Sequence, residues 1–199
     1  MTSQKWVRLF FATLFLGGGV TLLTSFFVKS SDYLVAIEDG DYLKLLGTLL
    51  YFIFLGLIFS LVSQMGFFAY LTVHQFGLGM FRKLWSPVQI LIIAFTLFDL
   101  SYFRYNRFAN EGDAWSSYVV VPIVLLIFGL LVSYVKTKET NRNAFIPALF
   151  FMVTVTSIEW VPAIRTNNSD SMMLMLVTLL TCNTYQLLLL HRINKDKKQ

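Results

Sequence analysis

The acidic and basic side chains that could do chemistry in this sequence lie in two short segments, FDLSYFRYNRF and IEWVPAIR. Asp99 precedes Arg104 and Arg107 in the first segment, and Glu159 precedes Arg165 in the second. Both acids lie in long apolar stretches, where an unpaired carboxylate costs about 2.5 to 3.5 kcal/mol in the middle of a membrane helix. We therefore expect these five residues to form a polar cluster at the outer rim of the protein, with the arginines as partners of the acids.

Three roles are open to this outer-rim cluster. Ion pairs could fix the register of neighbouring helices, or the cluster could form an outward-facing pocket that senses a ligand or partner. Transport of protons or ions is the third role. It is the least favoured, because a carrier usually holds its charges nearer the membrane midplane and shows repeat symmetry, and the sequence has neither feature.

The segment SQMGFFAYLTVHQFGLGMFR carries a second set of polar residues inside an apolar stretch. If it is helical, Gln64, Gln75 and Arg82 share one stripe, because eleven residues return to nearly the same angle. One interpretation is that the glutamines only hydrogen-bond neighbouring helices. The other is an elbow at the cytoplasmic boundary that contacts a partner protein, with six candidate residues: Gln64, His74, Gln75, Gly77, Gly79 and Arg82.

The familiar catalytic and metal-binding patterns do not occur in the sequence. Two histidines and one cysteine are too few for a typical zinc site. Gly77 and Gly79 lack the third glycine and the preceding strand of a nucleotide-binding loop. No nucleophile lies beside a base at catalytic spacing. We predict a protein that is not an enzyme and that has no metal and no cofactor.

The overall composition indicates whether the helices that carry these residues lie in water or in lipid. Of 199 residues, 56% are hydrophobic and 14% are charged, and the mean hydropathy is +0.66. This is too apolar for a soluble domain, so we predict that the chain lies in a lipid bilayer. The net charge of +5 is explained by its location along the chain and does not indicate nucleic-acid binding.

Six stretches are long enough to cross the bilayer core of about 30 Å as helices. They are residues 6–28, 43–81, 85–103, 115–135, 144–164 and 171–190. The second is nearly twice as long as one upright span, so we expect it to bend near Gly66 and continue as an interfacial helix to Phe81. The prediction is an all-α, polytopic bundle of six transmembrane helices whose second helix is long and bent, in a single membrane domain covering residues 1–199.

The basic residues predict the orientation. In the six-helix arrangement, 11 of the 16 lysines and arginines fall on the side of the two termini, which the positive-inside rule places in the cytoplasm. Splitting residues 43–82 into two short spans gives a seven-helix alternative with the same charge split and an external N-terminus. It is less favoured, because a turn near Gln64 and Gly66 would have neither charge nor loop length.

Three segments resemble a known family: SQMGFFAYLTVHQFGLGMF, DLSYFRYNRF and EWVPAI. They are similar to the KbaA family of spore-forming bacilli, the KinB-signalling pathway activation proteins, and the similarity runs through nearly the whole chain. The resemblance implies a polytopic protein of the bacterial cell membrane. It also implies a non-enzymatic activator of KinB, a membrane histidine kinase that feeds phosphate into the sporulation relay. It supplies no catalytic or ligand-binding residues.

We therefore expect an activator that biases the transmembrane bundle of a KinB-like histidine kinase by contact, with membrane lipids as its other partners. A small transporter or a ligand-binding membrane sensor is the alternative. Uptake into proteoliposomes would favour the transporter, whereas co-purification with a histidine kinase would favour the activator.

Overall fold

The computed structural model describes residues 3–38, 40–109, 115–166 and 168–195, and all regular structure in these ranges is helical. This confirms the predicted all-α class. The α-helices are α1 Ser3–Val28, α2 Ser30–Glu38, α3 Tyr42–Phe81, α4 Trp85–Phe108, α5 Trp115–Glu139, α6 Phe145–Phe150, α7 Thr156–Thr166 and α8 Ser169–Lys195. A π-helical turn, Phe151–Val155, joins α6 to α7, and 3₁₀ turns occur at Arg82–Leu84 and Arg142–Ala144.

Five runs in the described ranges are long and apolar enough to cross a membrane: Gln4–Val28, Tyr42–Phe108, Tyr118–Glu139, Arg142–Thr166 and Ser169–Leu190. The second run has 67 residues and contains both α3 and α4. The chain reverses between them, because the indole of Trp85 folds back onto His74 and Gly77. The outward surface is apolar as well, with exposed side chains such as Phe15, Leu91 and Leu131.

Local signals define the ends of the two helices that carry most of the interior polar groups. Asp41 caps α3 by accepting a hydrogen bond from the backbone N–H of Lys44 at 3.0 Å. Asn168 caps α8 in the same way, accepting from the N–H of Ser171 at 3.0 Å. At its other end α3 stops at Arg82, whose φ of 47° is incompatible with a continuing right-handed helix.

Helix α3 is longer than the bundle needs. Its 40 residues span about 60 Å, twice the apolar thickness of a bilayer. Helix α1 lies beside its middle: the ring of Trp6 is 5.2 Å from that of Phe68, and Ser25 bonds Tyr33, whose ring lies 6.0 Å from Phe52. Both ends of α3 therefore extend past α1.

The backbone of α3 is α-helical on both sides of Gln64 and Gly66. The turn that a seven-helix arrangement needs at this point is therefore not there. The bend that we predicted near Gly66 is not marked by any break in the helix either. The sequence shows why the helix continues: this stretch contains no proline, and its glycines are single residues among strong helix formers.

Small residues let α1 and α3 approach closely. Gly17 and Gly56 face each other, and a Cβ atom on Gly56 would overlap both the Gly17 carbonyl oxygen and the Thr21 side chain. One turn further, the Ser60 hydroxyl donates to the Thr13 carbonyl at 2.8 Å. Small residues at the contact and hydroxyl bonds across it are typical of helix pairs in membranes, where apolar burial alone gives little driving force.

One ion pair fastens the first helices to the last. The Lys29 ammonium, between α1 and α2, lies 2.7 Å from a carboxylate oxygen of Asp170 in the first turn of α8. The hydrogen bond to Asp170 raises the pKa of Lys29, so the lysine stays charged throughout the physiological range. The apolar core lies below this pair, where Phe67, Phe151 and Leu179 are fully buried.

Candidate functional site

Glu159 lies in the interior of the bundle. Only 6% of the residue is exposed, and Oε2 accepts a hydrogen bond from Nδ2 of Asn183 at 2.7 Å. Oε1 has no hydrogen-bond partner and lies against Gly66, where an added Cβ would overlap the carboxyl group. The expected pairing of Glu159 with the arginines of the outer rim is therefore wrong, because its partner is an amide of α8.

Four further side chains are linked to this carboxyl group by a chain of hydrogen bonds that begins at Asn183. Asn183 also donates to the Thr156 hydroxyl at 2.9 Å and accepts from the Ser63 hydroxyl at 2.6 Å. Gln186, one turn along α8, donates to the Ser63 hydroxyl at 2.6 Å. We call these five residues, Ser63, Thr156, Glu159, Asn183 and Gln186, the interior polar network. It joins α3, α7 and α8, so it fixes the rotation of these three helices relative to one another.

Most of the interior polar network was not predicted from the sequence. Its signal was present: Asn183 and Gln186 are three residues apart, which puts both amides on one face of an apolar helix. Such a face requires polar partners on a neighbouring helix. Ser63, which supplies the partner, lies beside Gln64 on the second predicted span, but a sequence does not show which span packs against which.

Gln64 is buried inside the bundle and is not available to a partner protein. Its Nε2 lies 3.3 Å from the Ser60 hydroxyl of the same helix, and 4% of the residue is exposed. Gln75, on the same predicted stripe, is exposed. The predicted stripe is thus divided, because the surrounding helices cover the middle of α3, whereas most of its last ten residues are exposed.

His74 and Gly77 hold the turn between α3 and α4. The indole N–H of Trp85 donates to Nδ1 of His74 at 3.0 Å, and the indole ring lies directly over Gly77. Phe81 stacks on the same ring, with centroids 5.8 Å apart. Both candidates therefore have a structural role, whereas Gln75, Gly79 and Arg82 remain on the surface.

The other residues of the predicted rim cluster do come together. Asp99, Arg104, Arg107 and Arg165 line a cavity of about 310 Å³ between the ends of α4 and α7, with apolar walls that include Phe103. We call it the arginine pocket. Asp99 makes no ion pair with these arginines; the Arg104 guanidinium instead lies over the rings of Trp160 and Tyr118, at 5.8 and 5.9 Å.

An apolar groove of about 300 Å³ continues from the arginine pocket along α4 and α7 toward the middle of the bundle. Asp99, Leu100, Val161 and Ile164 line both cavities. The groove is otherwise lined by apolar side chains and three hydroxyls, with Phe95 on its outer edge. The two cavities together therefore have a charged end, at the arginine pocket, and an apolar tail, along the groove.

Within the described ranges, no group of three or more histidine, cysteine, aspartate or glutamate side chains is placed to hold a metal ion. Cys182 is a free thiol, fully buried beside the Thr13 carbonyl. Among the described residues, the polar side chains inside the bundle are therefore held by hydrogen bonds and by packing between apolar helices.

Residues 17–193 match the model of the KbaA family, which is described as KinB-signalling pathway activation in sporulation. The chain belongs to this family. A KinB-signaling pathway activation protein of Bacillus subtilis (strain 168) is 40% identical over 195 residues, which cover 96% of this chain and 97% of that protein. No solved structure matches the chain. Because the match extends from α1 to α8, the interior polar network and the arginine pocket both lie inside the KbaA region.

Proposed function

We propose that this KbaA-family chain is a membrane-embedded activator of a KinB-like sensor histidine kinase in sporulation, and that it acts by contact and not as an enzyme. Membership of the family and the name of the Bacillus subtilis relative support the pathway. Five long apolar runs and an apolar outward surface support a place in the cell membrane. The kinase crosses the same membrane, so the two proteins can meet there helix against helix.

The uncovered face of α3 is the contact surface that we propose. Phe54, Ile58, Met65 and Phe68 are exposed at spacings of three, four and seven residues, so they form one continuous stripe. We call these four residues the α3 stripe. It leads into the last turns of α3, where Gln75, Gly79 and Arg82 are also exposed. A partner helix that followed α3 from Phe54 would pass about eight helical turns without a lysine, arginine, aspartate or glutamate before it reached Arg82.

A contact of this kind activates a kinase only if it prefers one of the kinase's states. A ligand shifts a two-state equilibrium by its difference in affinity for the two states, and by nothing else. Helix α3 is suited to this because its rotation and height are fixed by the interior polar network through Ser63. It therefore presents a rigid stripe to the kinase helices.

The orientation that we propose places both termini, and the end of α3, in the cytoplasm. Arg82 and Lys83 are exposed at the turn that follows α3. Basic residues beside an anionic membrane surface gain about 1 kcal/mol each from the headgroups. Positive charge would thus hold the exposed end of α3 at the inner surface, close to where a transmembrane kinase joins its cytoplasmic part.

Cysteine crosslinking in membranes tests the contact. With Cys182→Ala as background, we expect Gln75→Cys and Met65→Cys to capture the KinB kinase of the same organism. Leu131→Cys is the matched control, because Leu131 is also exposed but lies on α5, away from the α3 stripe. Equal capture from Leu131→Cys, or capture from neither α3 position, would contradict this contact surface.

Reconstitution tests activation itself. The purified chain, added to vesicles that contain the kinase, should raise the rate of kinase autophosphorylation. Met65→Trp should reduce this effect, whereas Leu131→Trp should not, because only the first changes the shape of the α3 stripe. An unchanged rate with the native chain would exclude direct activation.

A further inference from the structure

The arginine pocket has an excess of positive charge. Three guanidinium groups, from Arg104, Arg107 and Arg165, share it with the single carboxylate of Asp99, which leaves a net charge of +2. Arg104 is half-buried, whereas Arg107 and Arg165 are exposed at the mouth. Charge complementarity therefore favours an anion in the pocket over a cation or a neutral solute.

The state of Arg104 strengthens this expectation. Its Nη1 atom is buried and has no hydrogen-bond partner. The aromatic faces of Trp160 and Tyr118 attract the positive charge, but neither ring supplies an oxygen to this N–H. A buried donor on a charged group is costly to leave unpaired, and guanidinium groups match phosphate oxygens in geometry.

The shape beyond the pocket indicates what the anion is attached to. Val161 and Ile164 line both the arginine pocket and the apolar groove, so the two cavities adjoin. The groove then passes Ile158, Phe95 and Ile92, in the direction of the bundle's middle. A soluble anion would fill the pocket and leave the groove unused, whereas an acyl chain fits the groove.

We propose that the arginine pocket and the apolar groove together form a binding site for one anionic phospholipid of the membrane, of the phosphatidylglycerol type. The lipid phosphate accepts hydrogen bonds from Arg104 and from the arginines at the mouth, and one acyl chain lies in the groove. Asp99 accepts a hydrogen bond from a headgroup hydroxyl, which a glycerol headgroup supplies. This proposal rests on the membrane location given under the proposed function, but it does not depend on contact with a kinase.

Native mass spectrometry of the purified full-length chain in detergent tests the headgroup preference. We compare phosphatidylglycerol with phosphatidylcholine of identical acyl chains. We expect tighter binding of the anionic lipid, and the double variant Arg104→Gln, Arg107→Gln should lose it by at least about 10-fold. The matched control is Arg82→Gln, Lys83→Gln, which removes the same charge from exposed residues at the opposite end of α4 and should bind as the native chain does.

Equal binding of the two lipids, or equal losses in the two double variants, would overturn the proposal. Glycerol phosphate is the soluble competitor. If it displaced phosphatidylglycerol at concentrations as low as those at which the lipid itself binds, the pocket would be a site for a soluble anion, and the lipid assignment would be overturned. If circular dichroism shows that the Arg104 variant does not fold, Arg165→Gln, an exposed position on α7, replaces it.

A steric variant tests the groove without changing any charge. Val161 lines both cavities, so Val161→Trp should fill their junction and weaken phosphatidylglycerol binding as strongly as loss of the arginines. Leu131→Trp adds the same ring at an exposed position of α5 and should have no effect. Native binding by Val161→Trp would show that the acyl chain does not lie in this groove. No kinase is present in these experiments, so a failure to bind lipid would not contradict the proposed kinase contact. Likewise, a failure of the crosslinking experiment would not contradict the lipid site.

Discussion

A carboxyl group buried among apolar helices has to find its partners within the protein, because the apolar side chains around it offer none. For Glu159 this requirement was foreseeable from the sequence, but its partner was not. Arg165 is only six residues away along the chain, yet the hydrogen bond comes from Asn183, on another helix. Spacing along one helix gives the angle between two side chains; it does not say which neighbouring helix each of them faces.

A single added methyl group at Gly66 is predicted to destabilise the protein. Its missing side chain makes the room that the Glu159 carboxyl occupies, so Gly66→Ala should lower the free energy of unfolding by about 1 to 3 kcal/mol. Gly47→Ala is the control on the same helix, because a Cβ at Gly47 meets nothing within 4 Å. Gly47→Ala should leave the free energy of unfolding unchanged or raise it slightly. Reversible unfolding in mixed micelles measures both, and equal stabilities would show that the carboxyl moves aside at little cost.

At the scale of elements, apolar length and turn composition predicted most of the helices. The predicted stretch 85–103 lies within α4, and 171–190 lies within α8. The π-helical turn Phe151–Val155 was not predicted, because its sequence, FMVTV, has no proline or glycine that would mark an irregular turn inside an apolar helix. A π-helical turn arises where one residue more than the α-helical register allows is accommodated by packing on both sides. Here it ends four residues before Glu159, in the helical run that continues into α7.

The turn between α3 and α4 depends on Trp85, which is 5% exposed and touches Gly77, Phe81 and His74. Trp85→Ala should therefore lower the free energy of unfolding by about 3 kcal/mol, because it leaves a large cavity. Trp115→Ala, at a half-exposed ring on α5, is the matched control and should cost much less. His74→Ala should cost about 1 kcal/mol, the value of one hydrogen bond. A loss for Trp85→Ala no greater than that for Trp115→Ala would contradict this role.

For the whole molecule, the sequence predicted the helical class, whereas the contacts between helices required the structure. The glutamines illustrate the difference, since Gln64 and Gln75 share a stripe in the sequence but not a surface in the bundle. Helix α3 also settles a choice that charge counting left open. Because α3 continues through Gln64 and Gly66, only arrangements without a turn there are compatible with the structure.

Six crossings of the membrane remain a prediction, and reporter fusions test it. Fusions at the N-terminus, at the C-terminus and in the turn at Lys83 should all report the cytoplasm, whereas a fusion near Gly40 should report the outside. Gly40 lies between α2 and α3, at the opposite end of α3 from Lys83. Termini on opposite sides would contradict six crossings and, with them, the proposed cytoplasmic position of the exposed end of α3.

The interior polar network also has a consequence for the order in which the protein is made. Ser63 and Glu159 leave the ribosome before Asn183 and Gln186, the two amides that complete their hydrogen bonds. In a nascent chain these polar groups thus lack their partners until α8 has been synthesised. Truncated products that end before α8 should be recognised as unfinished and degraded, so that only chains synthesised to the end accumulate in the cell.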